Sequence, residues 1–212
     1  MNPIHVAFAA VLIAAAAPAD ARSAYAGRYR VVEGPDVAGG LELRPDGRFA
    51  YVLIAGALDE HAEGRWSEEG GVVRLTTEPK PLPPVFARAR DGDAEAPTLL
   101  VTFAGGGGIP GIDFRLGLAD GSVAEGYTQE GGWSFAAGSA APIRWVELVE
   151  PIHGLASPRF AIDPPATGAL TFVLTPNDIE VVDFAGAPFQ RRGKGFVLGR
   201  GDGELRLVRI KR

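Results

Sequence analysis

Apolar and polar residues alternate in short runs along most of this 212-residue chain. Leu41 and Leu43 share one side of an extended segment, with Glu42 and Arg44 on the other. Pro45-Asp46-Gly47 then turns the chain, and Phe49, Tyr51 and Leu53 alternate on the return. Val52 and Ile54 make the second side of that return apolar as well, which is the pattern of a strand buried on both faces. Further on, Gly64-Arg65-Trp66 leads into Glu69-Gly70-Gly71 and then Val73 and Leu75, so residues 25–77 read as four or five antiparallel strands. Ala57 to Glu63 has room for one helical turn. No window beyond residue 21 sustains a 3.6-residue apolar period.

The same rhythm continues after Glu78-Pro79-Lys80-Pro81-Leu82-Pro83-Pro84, whose proline density predicts a stiff, extended linker over 78–84. Residues 85–150 form a second strand-rich block. Leu99, Val101 and Phe103 alternate before four glycines. Ile112, Phe114, Leu116 and Leu118 then give the cleanest period-two run in the chain, and Ile143 to Val149 closes the block. A second proline-bearing stretch, 151–166, precedes strands at Leu170-Phe172-Leu174, Ile179–Phe184, Phe196–Leu198 and Leu205–Ile210. Val208 and Ile210 fall out of phase with Leu205 and Leu207, which predicts a bulge. The first and last blocks, 22–77 and 167–212, are each too small to bury a core alone. Joined, they make one domain of ordinary size, with 85–150 inserted between the linkers, an arrangement preferred to three domains in series.

Composition adds export to this picture. An unbroken apolar stretch from Val6 to Ala17 is followed by Pro18 and Ala19-Asp20-Ala21, the small-residue pattern of signal cleavage. Residues 1–21 therefore read as a signal peptide, although no Lys or Arg precedes the stretch. The run is shorter than the roughly 18 residues of a spanning helix, so no membrane span is expected after cleavage. The chain holds no cysteine, which excludes disulfides, a lipidation site, thiolate metal sites and a Cys nucleophile. The expected location is periplasmic or secreted. A mildly acidic balance, formal net charge −5, argues against nucleic-acid binding.

Candidate chemistry is sparse. Asp59, Glu60, His61 and Glu63 gather carboxylates and an imidazole that hard or borderline cations accept as ligands, though a solvated hairpin tip has the same composition. Arg191, Arg192, Lys194 and Arg200 could meet an anionic headgroup or glycan, or could simply guard a sheet edge. Gly106-x-Gly108-x-x-Gly111 has dinucleotide-site spacing, but a strand pattern follows it where a helix is needed. Asp91-Gly92-Asp93-Ala94-Glu95 is too short for an EF-hand loop. No G-x-S-x-G elbow occurs, and His153 has no evident sequence-adjacent partner. Neither a cofactor nor a catalytic residue is expected.

Two resemblances sharpen the reading. Thr98 to Phe135, with Gly126-Tyr127-Thr128 and Glu130-Gly131-Gly132-Trp133, resembles the carboxypeptidase regulatory-like (prealbumin-like) domain. That resemblance implies a seven-strand sandwich used for binding or as a spacer. Leu41-Glu42-Leu43, Asp46-Gly47-Arg48-Phe49, Gly64-Arg65-Trp66 and Val73-Arg74-Leu75 are loosely similar to small lipocalin-like periplasmic barrels. The resulting expectation is an all-β protein, a barrel or sandwich formed by the two chain ends around an inserted prealbumin-like sandwich. Its expected function is non-catalytic binding of a protein, a glycan or a small apolar ligand. The alternatives are a lipocalin-like carrier and a cell-envelope hydrolase using carboxylates or His153.

Overall fold

The computed structural model describes residues 24–92, 97–136, 141–168, 170–201 and 203–211; the expected signal segment and part of the Asp91–Glu95 loop lie outside them. The described chain is all-β. Five strands come first: β1 (Gly27–Val31), β2 (Val37–Leu43), β3 (Arg48–Ala55), β4 (Leu58–Glu69) and β5 (Val72–Thr77). Eight more follow: β6 (Val85–Arg88), β7 (Leu99–Phe103), β8 (Asp113–Leu118), β9 (Val123–Tyr127), β10 (Ile143–Glu150), β11 (Leu155–Ala156), β12 (Phe160–Ala166) and β13 (Leu170–Thr175). The chain ends with β14 (Ala185–Arg192), β15 (Gly195–Arg200) and β16 (Gly203–Arg209).

The first five strands and the last three close a barrel in the order β1-β16-β15-β14-β5-β4-β3-β2. Closure leaves no free edge. Period-two alternation sends Tyr29, Leu41, Leu43, Phe49, Tyr51, Leu53, Val73, Leu75, Phe189, Phe196, Leu198 and Leu207 inward, where all are buried. Phe189 and Phe196 stack at 5.3 Å between centroids, and Tyr29 stands edge-on to each at 4.8 Å. Phe184, on the segment entering β14, fills the core beside Phe49 and Tyr51, edge-on at 6.0 and 5.1 Å. That segment is tied to the barrel by its backbone. Residues 180 and 182 exchange hydrogen bonds with His61, and the Thr77 hydroxyl donates to the Val182 carbonyl at 2.7 Å. An eight-stranded barrel is just wide enough to be filled by its own side chains, and this one is filled by aromatics.

Between β5 and β14 lies a sandwich of two sheets. The larger runs β11-β10-β8-β9, with β12 also pairing with β10; the smaller runs β6-β13-β7. Phe86, Leu99, Val101, Leu170, Phe172 and Leu174 from the smaller sheet share one core with Ile112, Phe114, Leu116, Val146, Leu148 and Ile162.

Leu170, Phe172 and Leu174, expected on the returning part of the barrel, instead form the central strand of the smaller sheet, antiparallel to β6 and parallel to β7. The inserted unit thus extends past residue 150 to Thr175, and the expected linker 151–166 carries strands β11 and β12. Prolines 164 and 165 are accommodated because β12 pairs on one side only, with β10. Residues 179–184 are turn and extended chain rather than a strand, and Ala57–Glu63 is strand rather than helical turn. No bulge interrupts β16, whose register with β1 and β15 is continuous. The glycine run 105–108 forms turn and loop between β7 and β8.

Candidate interaction surface

The acidic group does not assemble. It lies within β4 rather than at a hairpin tip, and alternation turns Asp59, His61 and Glu63 outward while Glu60 faces inward, only 11% exposed. Among the described residues, no group of three or more His, Asp or Glu side chains is placed to hold a metal ion. The basic group disperses as well. Arg192 forms a two-pronged pair with Glu204 at 2.6 and 2.9 Å, and Arg191 stacks over the Phe196 ring at 5.5 Å. Lys194 sits at the β14–β15 turn. Arg200, at the far end of β15, crosses the barrel mouth to Glu60 at 2.5 Å.

One residue from each candidate group therefore meets in a half-buried ion pair. Arg200 also approaches the Tyr51 hydroxyl at 3.5 Å. Burial pushes the Tyr51 phenol up to about 12, outweighing the pull of the Arg200 charge, so it remains protonated and is no base. The second Glu60 oxygen is buried with no partner in the structure. A cleft of about 290 Å³ opens beside Arg200, bordered by Asp183, Phe184 and Pro188.

His153 does have a partner. Its Nδ1 lies 2.9 Å from Glu150, whose carboxylate also accepts the N–H groups of Ile152 and His153 at 3.0 and 2.9 Å. Burial resists ionisation of Glu150, but these donors prevail and hold its carboxyl below the usual range. The arrangement closes the turn between β10 and β11. Among the described residues no hydroxyl is hydrogen-bonded to the imidazole, so a nucleophile–base pair is not formed there.

The more informative surface is one the sequence pattern misassigned. Val52 and Ile54 are not buried on the second face of β3; they stand on the outside of the barrel, 47% and 49% exposed. Ile210, just past β16, is 49% exposed, and Val208 is half-buried on the same side. The register aligns Val208, Arg30, Gly40, Val52 and His61 across five neighbouring strands, and Ala38 and Ile54 in the next row. Gly40 is required by the approach of β1: a Cβ there would come within 2.6 Å of the Tyr29 carbonyl oxygen. Its missing side chain also leaves a floor. The resulting cleft, about 390 Å³, is bordered by Arg28, Arg30, Ala50, Val52 and Ile210. Alternation along β3 contained this signal. What it lacked was any indication that the strand's second apolar face meets solvent.

The outer face of the larger sheet differs. Arg159, just before β12, and Glu147, Arg115 and Glu125 on β10, β8 and β9 form an alternating ladder, with contacts of 2.8, 3.5 and 2.8 Å. Trp145 lies over Gly117, where any Cβ would fall 1.9 Å from the indole, and the Arg159 guanidinium covers the ring at 4.0 Å. Searches of protein-family models, curated proteins and solved structures find no match to this chain.

Proposed function

We propose that this protein is an exported, non-catalytic interaction module that binds a partner protein through the apolar outer face of its barrel. One observation carries the reading. Val52 and Ile54 on β3, and Ile210 just past β16, are about half exposed, and Val52 and Ile210 border one cleft across β1 and β2 on a barrel whose interior is already filled by Tyr29, Phe49, Tyr51, Phe184, Phe189 and Phe196. Exposed aliphatic side chains interleaved with arginines, here Arg28 and Arg30 on β1, are an ordinary composition for a protein contact. The packed interior weighs against a lipocalin-like carrier, which needs a connected apolar cavity. The resemblance of residues 98–135 to prealbumin-like domains fits the same use, since such domains serve as binding units or spacers.

Native mass spectrometry of residues 22–212, purified gently from the producing cells, tests this. The expected species are the bare polypeptide and its complex with another protein. A small excess mass that departs on denaturation would identify a carrier and overturn the proposal.

A further inference from the structure

The sandwich offers a second and different surface, its open edge at β9. In the β8–β9 pair the residue numbers of Cα partners keep one register from Asp113↔Tyr127 to Gly117↔Val123. At its two ends the Leu118 N–H donates to the Ser122 carbonyl and the Thr128 N–H to the Ile112 carbonyl. Hydrogen-bonded pairs alternate in an antiparallel ladder, so Ala124 and Gly126 bond to β8. The N–H and C=O groups of Val123, Glu125 and Tyr127 must then point away from the sheet. Among the described residues nothing accepts or donates to them.

Natural sheets blunt such an edge with lysine, proline, a bulge or a covering loop. β9, Val-Ala-Glu-Gly-Tyr, has no lysine and no proline, and its one charge, Glu125, is held by Arg115 at 2.8 Å. Val123 and Tyr127 flank it, 44% and 59% exposed. The charge ladder indicates what fits. Reading outward from β12, the signs run positive at Arg159, negative at Glu147, positive at Arg115 and negative at Glu125. The next strand in the series would carry a cation.

We infer that β9 is a docking edge for an extended partner segment with Lys or Arg at its centre and apolar residues two positions to either side. Added antiparallel, such a segment bonds to the backbone of Val123, Glu125 and Tyr127. Its cation continues the ladder beyond Glu125, and its apolar residues cover Val123 and Tyr127. This surface is separate from the barrel face, and either can fail without the other.

The test uses residues 22–212 and two capped peptides, TVTKTVT and TVTETVT, with binding followed by backbone amide NMR shifts. The lysine peptide is expected to bind about tenfold more tightly, since opposite charges across a ladder attract and like charges repel. Shifts should concentrate at residues 123, 125 and 127. Glu125→Lys, at an exposed position, should reverse the preference. Binding of neither peptide, equal binding of both, or unchanged preference in Glu125→Lys would overturn the inference. So would concentration-dependent dimerisation through β9 that excludes the peptides, because the occupant would then be a second copy of the chain.

Discussion

The barrel and the sandwich expose opposite kinds of surface. The barrel closes on itself, so its strands satisfy one another's backbone groups, yet its outer face exposes the aliphatic Val52, Ile54 and Ile210. The sandwich covers the outer face of its larger sheet with a charge ladder and an arginine-stacked tryptophan, yet leaves β9 open. A closed sheet can recruit partners only through side chains. A sheet with a satisfied face can recruit them through its edge. The two units of this chain therefore expose two chemically distinct surfaces, one carrying aliphatic side chains and one built from backbone.

Mutations can break that comparison, and the largest effect should come from the barrel interior. Phe189→Ala removes a ring packed against Tyr29 and Phe196 and should cost about 3–5 kcal/mol in urea unfolding. Ile54→Ala, on the same barrel but outside it, should change stability by only about 0.5 kcal/mol. If Ile54→Ala costs as much as Phe189→Ala, the outer face is covered within the monomer and is no contact site.

Next comes the ion pair at the barrel mouth. Arg200→Met leaves Glu60 buried and unpaired and should cost about 2 kcal/mol, less than a fully buried pair because Arg200 keeps some solvent contact. Adding Glu60→Leu should recover most of that loss. Failure of the double variant to recover would show that Arg200 acts by packing rather than by charge.

A comparable or smaller effect is expected in the sandwich. Gly117→Ala places a methyl where the Trp145 indole lies and should cost about 1–3 kcal/mol as the ring is displaced from under Arg159. Near-ultraviolet circular dichroism should register the loss of the fixed indole.

The smallest effect is a pH dependence. The Glu150 carboxyl is held below its ordinary 4.5 in the folded chain, so its ionised form stabilises the fold above that value. The contribution disappears as pH falls through the lower folded pKa. Unfolding measured at pH 7 and pH 3 should therefore show Glu150→Gln less stable than the wild-type chain at pH 7, with a smaller difference at pH 3. A constant difference between the two pH values would mean that Glu150 is not ionised in the fold.

Much of the fold was legible because period-two alternation is local. Leu41-Leu43, Phe49-Tyr51-Leu53 and Val73-Leu75 identified barrel strands with the correct inward faces, and the all-β class followed. Pairing between distant strands was less legible. Leu170-Phe172-Leu174 has a pattern that fits either unit, and only its partners β6 and β7 place it in the sandwich. The outer barrel face was present in the sequence as Val52, Ile54, Val208 and Ile210. Its pattern matches a doubly buried strand and a bulge equally well, because apolarity on both faces says nothing about which face meets water. The Arg200–Glu60 pair joins residues 140 positions apart and had no local signal. Glu150 and His153, three residues apart, could have been paired from sequence, since an acid at that spacing can cap a turn.

Site-specific photocrosslinking in the producing cells can show most directly whether the barrel's outer face is a protein contact, with a photoreactive residue at position 54 and, as control, at the exposed position 74 on β5. A contact there gives a discrete adduct of higher mass from position 54 and none from position 74. No adduct at 54, or the same adducts at both positions, would contradict it.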